Sequence, residues 1–224
     1  LYMLTLLWYL WRQRAAYDVI HVHGLNYHTF TAVIGGRWLH KPVICKLANS
    51  GPASDINKMR KDQQLALARF MLPTALQCDQ FVALNKKVVA ELTAVGVPPS
   101  RIIQLPNGVE IDAIPAKASY ALHQPARLLF VGRLHPQKGL DTLLQAVQQV
   151  AVQHNICLHL LGDGPLREEL TALAAQLGIT AQVQFLGQSD DVFAHLQTAD
   201  LFVLPSRAEG LSNALLEAMS CGLP

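Results

Sequence analysis

The chain has 224 residues, 51% of them hydrophobic and only 15% charged. That length can bury the core of one large or two small domains, and the composition excludes disorder and collagen-like or coiled-coil rods. Eighteen Lys and Arg against 16 Asp and Glu leave a net charge of +2, which gives no support to a nucleic-acid partner, because that would need a clustered basic face.

Residues Leu1 to Trp11 form an almost wholly apolar run, followed by Arg12 and Arg14. A signal peptide would carry its basic residues before the run, and a transmembrane helix needs about 20 apolar residues, roughly twice what is present. The run is expected to be a core helix. The alternative is an interfacial helix with Trp8, Tyr9 and Trp11 at a membrane surface. The chain opens without Met and closes on Cys221-Gly222-Leu223-Pro224 straight after a helical pattern, so both ends are expected to be cut. Cys45, Cys78, Cys157 and Cys221 are far apart, form no C-x-x-C pair, and are expected to be reduced thiols of a cytoplasmic protein.

Strand-like and helical patterns then alternate. Buried strands are expected at Tyr17–His23 and Lys41–Leu47, with a helix at Tyr27–Leu39 between them. A long helix is expected over Ile56–Cys78, a strand at Phe81–Leu84, a helix at Lys86–Val95 and a strand at Ile102–Leu105. Periodicity fails over Ala113–Pro125, which carries two prolines and is the expected linker. Beyond it, strands are expected at Arg127–Val131, Ile156–Leu161, Val183–Leu186 and Leu201–Leu204. Helical patterns at Leu140–Val150, Leu166–Leu177, Val192–Thr198 and Leu211–Ser220 alternate with them. Such alternation implies parallel sheets with helices on both faces, and ligands bind at the carboxyl ends of such strands.

Three constellations lie at those ends. In Gly132-Arg133-Leu134-His135-Pro136-Gln137-Lys138-Gly139 two cations precede a helix, a natural site for a phosphate or diphosphate, unless they are simply solvated loop cations. Glu209 lies in the loop after the last strand, and Glu217 in the following helix. One carboxylate can accept both hydroxyls of a ribose and the other can hold a sugar's hydroxyls; a surface Glu and a helix-end Glu are the bland alternative. His21 and His23 alternate on one strand and so share a face. A metal reading with His28 as third ligand lacks a carboxylate nearby, and no metal is expected. The loop Lys46–Gly51 could line an acceptor cleft or merely connect. Asp190-Asp191 is expected to open a helix capped by Ser189.

The set G-R-L-x(3)-K-G, G-D-G-P, F-L-G and E-G-x(6)-E-A-M-x-C-G-x-P resembles the retaining nucleotide-sugar glycosyltransferases of family 4, built on the GT-B fold of two Rossmann-like domains with parallel sheets. The likeness is strongest from Arg127 to Pro224 and weaker before it. The resemblance implies an incomplete acceptor-side domain over 1–112, the linker at 113–125 and an incomplete donor-binding domain over 126–224. It implies that Arg133 and Lys138 bind the donor diphosphate and stabilise the departing charge, with backbone help from Gly210 and Leu211. Glu217 would hold the ribose and Glu209 the donor sugar, while Gly162, Gly164, Phe185 and Leu186 would wall in the base. His23 would face the sugar from the other domain, with His21 as its alternative. The implied reaction moves a sugar from a nucleotide-diphosphate sugar to the hydroxyl of a glycan, lipid-linked or small-molecule acceptor, with retention and without a cofactor. The implied location is cytoplasmic, with the inner face of the membrane as a peripheral station. The competing readings are an inactive nucleotide-binding fragment, a GT-B nucleotide-sugar epimerase and a membrane-tethered subunit without activity.

Overall fold

The computed structural model describes residues 1–47, 49–51, 54–61, 68–110, 117–207 and 209–224. The chain divides into two compact units, one comprising Leu1–Asn107 with Ala208–Leu211, the other Gly108–Arg207 with Ser212–Pro224.

In the first unit, helix α1 (Tyr2–Arg12) precedes strand β1 (Ile20–His23), helix α2 (Tyr27–Leu39) and strand β2 (Val43–Leu47). Helices α3 (Asp55–Lys61) and α4 (Ala68–Ala75) come next, then strand β3 (Gln80–Ala83), helix α5 (Lys86–Ala94) and strand β4 (Ile102–Gln104). The strands form one parallel sheet in the order β1-β2-β3-β4. The α2 boundaries follow from local chemistry: Asn26 accepts a hydrogen bond from the His28 N–H at the start, and left-handed His40 ends the helix. Two consecutive glycines let α2 be gripped from both sides. A side chain at Gly35 would strike Leu10 of α1, and one at Gly36 would strike Val43 of β2. Strand β1 is shorter and more open than expected. Ile20 is buried while His21 and His23 are exposed, and β1 stands first in the order of the described strands. Of the long helix expected over 56–78, residues 62–67 lie outside the described residues.

The second unit holds strand β5 (Ala126–Val131), helix α6 (Leu140–Ala151), strand β6 (Ile156–Leu161), helix α7 (Arg167–Gln176) and strand β7 (Val183–Gly187). It continues with helix α8 (Val192–Thr198), strand β8 (Leu201–Phe202) and helix α9 (Asn213–Ser220). The parallel sheet runs β7-β6-β5-β8, so the direction of winding reverses between β5 and β8. Alternation along β5 buries both faces. Phe130 enters a cluster with Leu140, Leu144 and Leu170 of α6 and α7, and Leu129 enters one with Leu196 and Ala218 of α8 and α9.

Residues 113–116 of the expected linker lie outside the described residues. From Lys117 onward the segment is tied to the second unit: the Lys117 N–H donates to the Cys221 carbonyl at 2.8 Å, and its buried ammonium reaches the carbonyls of Gln197 and Ala199. Buried Asp200 accepts from the Arg127 N–H at 2.7 Å and the His123 N–H at 3.3 Å, and its other oxygen lies 2.8 Å from His123 Nδ1. Helix α8 is capped differently from expectation. Asp191, not Ser189, is its cap and accepts from the Ala194 N–H at 3.0 Å; Ser189 only accepts from the Asp191 N–H. Among the described residues no helix is long and apolar enough to cross a membrane.

Candidate functional site

The second unit concentrates its polar loops at the carboxyl ends of β5, β6 and β8. The loops after β5 and β6 meet backbone to backbone. The Leu134 N–H donates to the Asp163 carbonyl at 3.0 Å, and the Leu166 N–H to the Leu134 carbonyl at 3.1 Å. Gly162 (φ +131°) sits so close that a Cβ there would come within 2.0 Å of the Gly132 carbonyl oxygen, and one at Gly164 within 2.5 Å of the Leu134 carbonyl. Only glycine permits this approach. The result is a cavity of about 610 Å³ lined by Gly132, Arg133, Gly162, Asp163, Gly164 and Gln188. Arg133 is exposed at its edge. Lys138 is half-buried at the end of the turn Pro136–Lys138, its Cε lying 3.7 Å from where a Cβ on Gly132 would be.

The loops after β5 and β8 also interlock. The Arg207 N–H donates to the Gln137 carbonyl at 2.9 Å, and the Arg207 side chain donates to the Pro136 carbonyl and to Asp141 at the first turn of α6. Gly139, in the left-handed region, presses on the Pro205 carbonyl. The hydroxyl of Ser206 is buried without a hydrogen-bond partner among the described residues. The two loops that carry the cationic pair and the start of the acidic motif therefore emerge side by side at the point where the sheet reverses direction, which is where doubly wound sheets bind ligands.

The other expected residues are distributed as follows. Glu217 is half-buried in α9, whose first turn is capped by Ser212. Glu209, Gly210 and Leu211 fall in the first unit, where the Gly210 carbonyl accepts from Asn85 Nδ2 and the Leu211 carbonyl from Asn107 Nδ2, each at 3.0 Å. Phe185 packs into the α6/α7 core, and Leu186 points to the opposite, exposed side of β7. Strand alternation separates these two, and neither lines the cavity; Gln188, just past the strand, does so instead. Nothing but its position after F-L-G marked Gln188 in the sequence.

In the first unit, His23 ends β1 with its ring 4.6 Å from that of His21, so the shared face is as expected. Register puts His23 beside Lys46 of β2. The His23 carbonyl accepts from His28 Nε2 at 2.8 Å. Desolvation, and then the nearby Lys46 and the rings of His21 and His28, hold the His23 imidazole below its ordinary pKa. Among the described residues no group of three or more His, Cys, Asp or Glu could hold a metal ion. A cavity of about 220 Å³ opens beside the same strand end, walled by Leu25, Tyr27, Asp55, Lys58, Met59 and Met71. Asp55 is buried at its edge and accepts from the Leu25 N–H at 3.4 Å. In the loop Lys46–Gly51, Ala48 lies outside the described residues, and Gly51 is pinned by donation to Glu91 Oε1 at 2.6 Å.

Comparison with known proteins gives the following. The family model described as Glycosyltransferase Family 4 matches residues 1–113, and that described as Glycosyl transferases group 1 matches residues 125–224. The N-acetyl-alpha-D-glucosaminyl L-malate synthase of Bacillus anthracis is 27% identical over 220 residues, covering 95% of this chain and 56% of that protein. The crystal structure of Anabaena HepE in complex with UDP-glucose superposes with a TM-score of 0.78 at 20% identity, covering 98% of this chain and 61% of HepE. TarM of S. aureus gives a TM-score of 0.76 at 16% identity over 99% of this chain and 43% of its own. The chain thus spans little more than half the length of the first two and less than half of TarM, and the solved structures share its two-sheet GT-B fold.

Proposed function

The chain belongs to glycosyltransferase family 4, and on that premise we propose that it belongs to an enzyme that transfers a sugar from a nucleoside diphosphate sugar to an acceptor hydroxyl, with retention at the anomeric carbon, its second unit serving the donor and its first the acceptor. One observation supports this most: the interlocked loops after β5 and β8, which hold Arg133 and Lys138 at the reversal point of the sheet. Arg133 offers a planar fork and Lys138 a point charge to a diphosphate, stabilising the negative charge that grows as the glycosidic bond breaks. The buried Ser206 hydroxyl is a further group that a phosphate oxygen would satisfy. The 610 Å³ cavity would take the base and ribose, with Glu217 accepting the ribose hydroxyls. Glu209 would orient the donor sugar, and neutral His23 would meet it from the acceptor side. The acceptor would enter beside the end of β1, where the cavity bearing Asp55 combines a carboxylate with an apolar wall. No metal or organic cofactor enters this scheme, and activity would survive chelation. The enzyme would work in the cytoplasm, resting on the inner membrane face when its acceptor is lipid-linked.

HepE binds UDP and UDP-glucose, so UDP is the first nucleotide to test. Calorimetry should show UDP binding to this chain. Arg133→Ala and Glu217→Ala should each weaken it about ten- to a hundredfold, the scale of one charge-assisted contact. In the longer protein, Glu209→Ala should lower kcat about a hundredfold or more with little change in UDP affinity. No binding of any nucleoside diphosphate would overturn the donor assignment. Binding with donor epimerised in the absence of acceptor would replace transfer by epimerisation.

A further inference from the structure

Strands β3 and β4 lie side by side in the parallel sheet of the first unit, with Ala83 opposite Gln104. The chain therefore leaves both strands at the same end of the sheet. Asn85 follows the end of β3 closely, and Asn107 the end of β4. Both are half-buried, and both direct their carboxamides at one short stretch of backbone. Asn85 Nδ2 donates to the Gly210 carbonyl and Asn107 Nδ2 to the Leu211 carbonyl, each at 3.0 Å. Gly210 and Leu211 pack with the first unit, so these two hydrogen bonds lie within it.

Asn85 uses both ends of its amide. Its Oδ1 accepts from the Val88 N–H at 3.0 Å and so caps α5. A backbone N–H only donates and a carbonyl only accepts, which fixes the orientation of this side chain and excludes an acid in its place. The effect on the held backbone follows from planarity. In a trans peptide the C=O and the next residue's N–H point in opposite directions, and neither peptide here is cis. Holding the Gly210 carbonyl turns the Leu211 N–H away from Asn85. Holding the Leu211 carbonyl turns the Ser212 N–H away from Asn107. Among the described residues neither of these N–H groups donates a hydrogen bond. Two successive N–H groups with their carbonyls anchored form a cradle suited to phosphate oxygens.

We propose that Asn85 and Asn107 are positioning residues for the donor: by anchoring two consecutive carbonyls they aim the Leu211 and Ser212 N–H groups at the donor's phosphate. The inference rests on the donor reading above and adds to it the groups that hold the acidic loop in shape. A segment containing glycine loses much conformational freedom when it is ordered. The two asparagines order it on folding, so that ordering does not weaken donor binding.

Calorimetry with UDP on the full chain is the test. Asn85→Ser keeps an acceptor for the Val88 N–H, so melting should be unchanged, but the shorter side chain gives up the Gly210 carbonyl. UDP affinity should then fall about fivefold, the scale of one neutral hydrogen bond. Asn85→Asp also keeps the cap, but sets a negative oxygen where the donor was, and should lose about tenfold or more. Asn85→Ser with Asn107→Ser should lose about twentyfold if the two anchors act independently. In isotope-labelled chain, the amide NMR signals of Leu211 and Ser212 should move when UDP is added, and move less in Asn85→Ser. UDP affinity unchanged in the Asn85 variants overturns the inference and leaves the donor assignment standing. UDP binding that leaves both amide signals in place does the same. Affinity that falls only in step with the melting temperature makes the asparagines structural and overturns it too. Failure of the parent chain to bind any nucleoside diphosphate overturns the donor assignment and this inference together.

Discussion

At the residue scale, two titratable groups have environments that set their protonation. Desolvation, the Lys46 ammonium and the neighbouring His21 and His28 rings depress the pKa of His23. Folding therefore favours the neutral ring, and the contribution of His23 to stability is complete above its unfolded pKa of about 6.5 and is lost as pH falls through the folded value. An NMR titration should place its midpoint below that of a free histidine, and Lys46→Ala should raise it; a midpoint unmoved by that substitution would contradict the register that sets Lys46 beside it. Asp200 shows the opposite balance. Burial pushes its carboxyl up, but the N–H groups of Arg127 and His123 and the His123 ring outweigh burial and hold the pKa below the ordinary value. Its stabilisation is thus present above about pH 3.9 and fades as pH falls through the lower, folded value. Asp200→Asn should cost about 1–3 kcal/mol at pH 7, and the gap between variant and parent in denaturant melts should narrow in acid.

At the element scale, the proposed donor site depends on how closely two loops approach. With a Cβ at Gly162 only 2.0 Å from the Gly132 carbonyl, and φ at +131°, Gly162→Ala must push apart the loops after β5 and β6. It should cost about 2–3 kcal/mol in stability and abolish UDP binding, measured by melting and calorimetry on the same sample. Most elements could be found from periodicity: α2, α8 and β6 fall where the pattern put them, because each is bounded by strong local signals. The cap of α8 could not. Ser189 and Asp191 are both good caps, and which one lies at the first turn depends on where the chain leaves β7.

At the scale of the whole molecule, each unit has its own core. One is centred on Phe81, Leu47 and Leu92, the other on Phe130, Leu144 and Leu158 with a second cluster around Leu129 and Leu196. Parallel sheets and helices on both faces were legible because alternating apolar strands and amphipathic helices have few other ways to bury themselves. Strand order was not, since no local pattern distinguishes β1-β2-β3-β4 from β7-β6-β5-β8. Only the second order has a reversal point among the described strands, and it is there that the loops of Arg133 and Arg207 are brought together.

Chain order, spacing and residue chemistry were enough to identify the family and to nominate the cationic pair and the two glutamates, because the motifs lie on consecutive loops. Folding decided which of the nominated residues share a wall. Phe185 and Leu186 are neighbours in sequence and point to opposite sides of β7, whereas Gln188, Gly132 and Gly164 are distant in sequence and line one cavity. A strand sends adjacent side chains to opposite faces, and a parallel sheet brings together loop ends separated by whole helices, so contact at the site follows from strand order rather than from sequence distance.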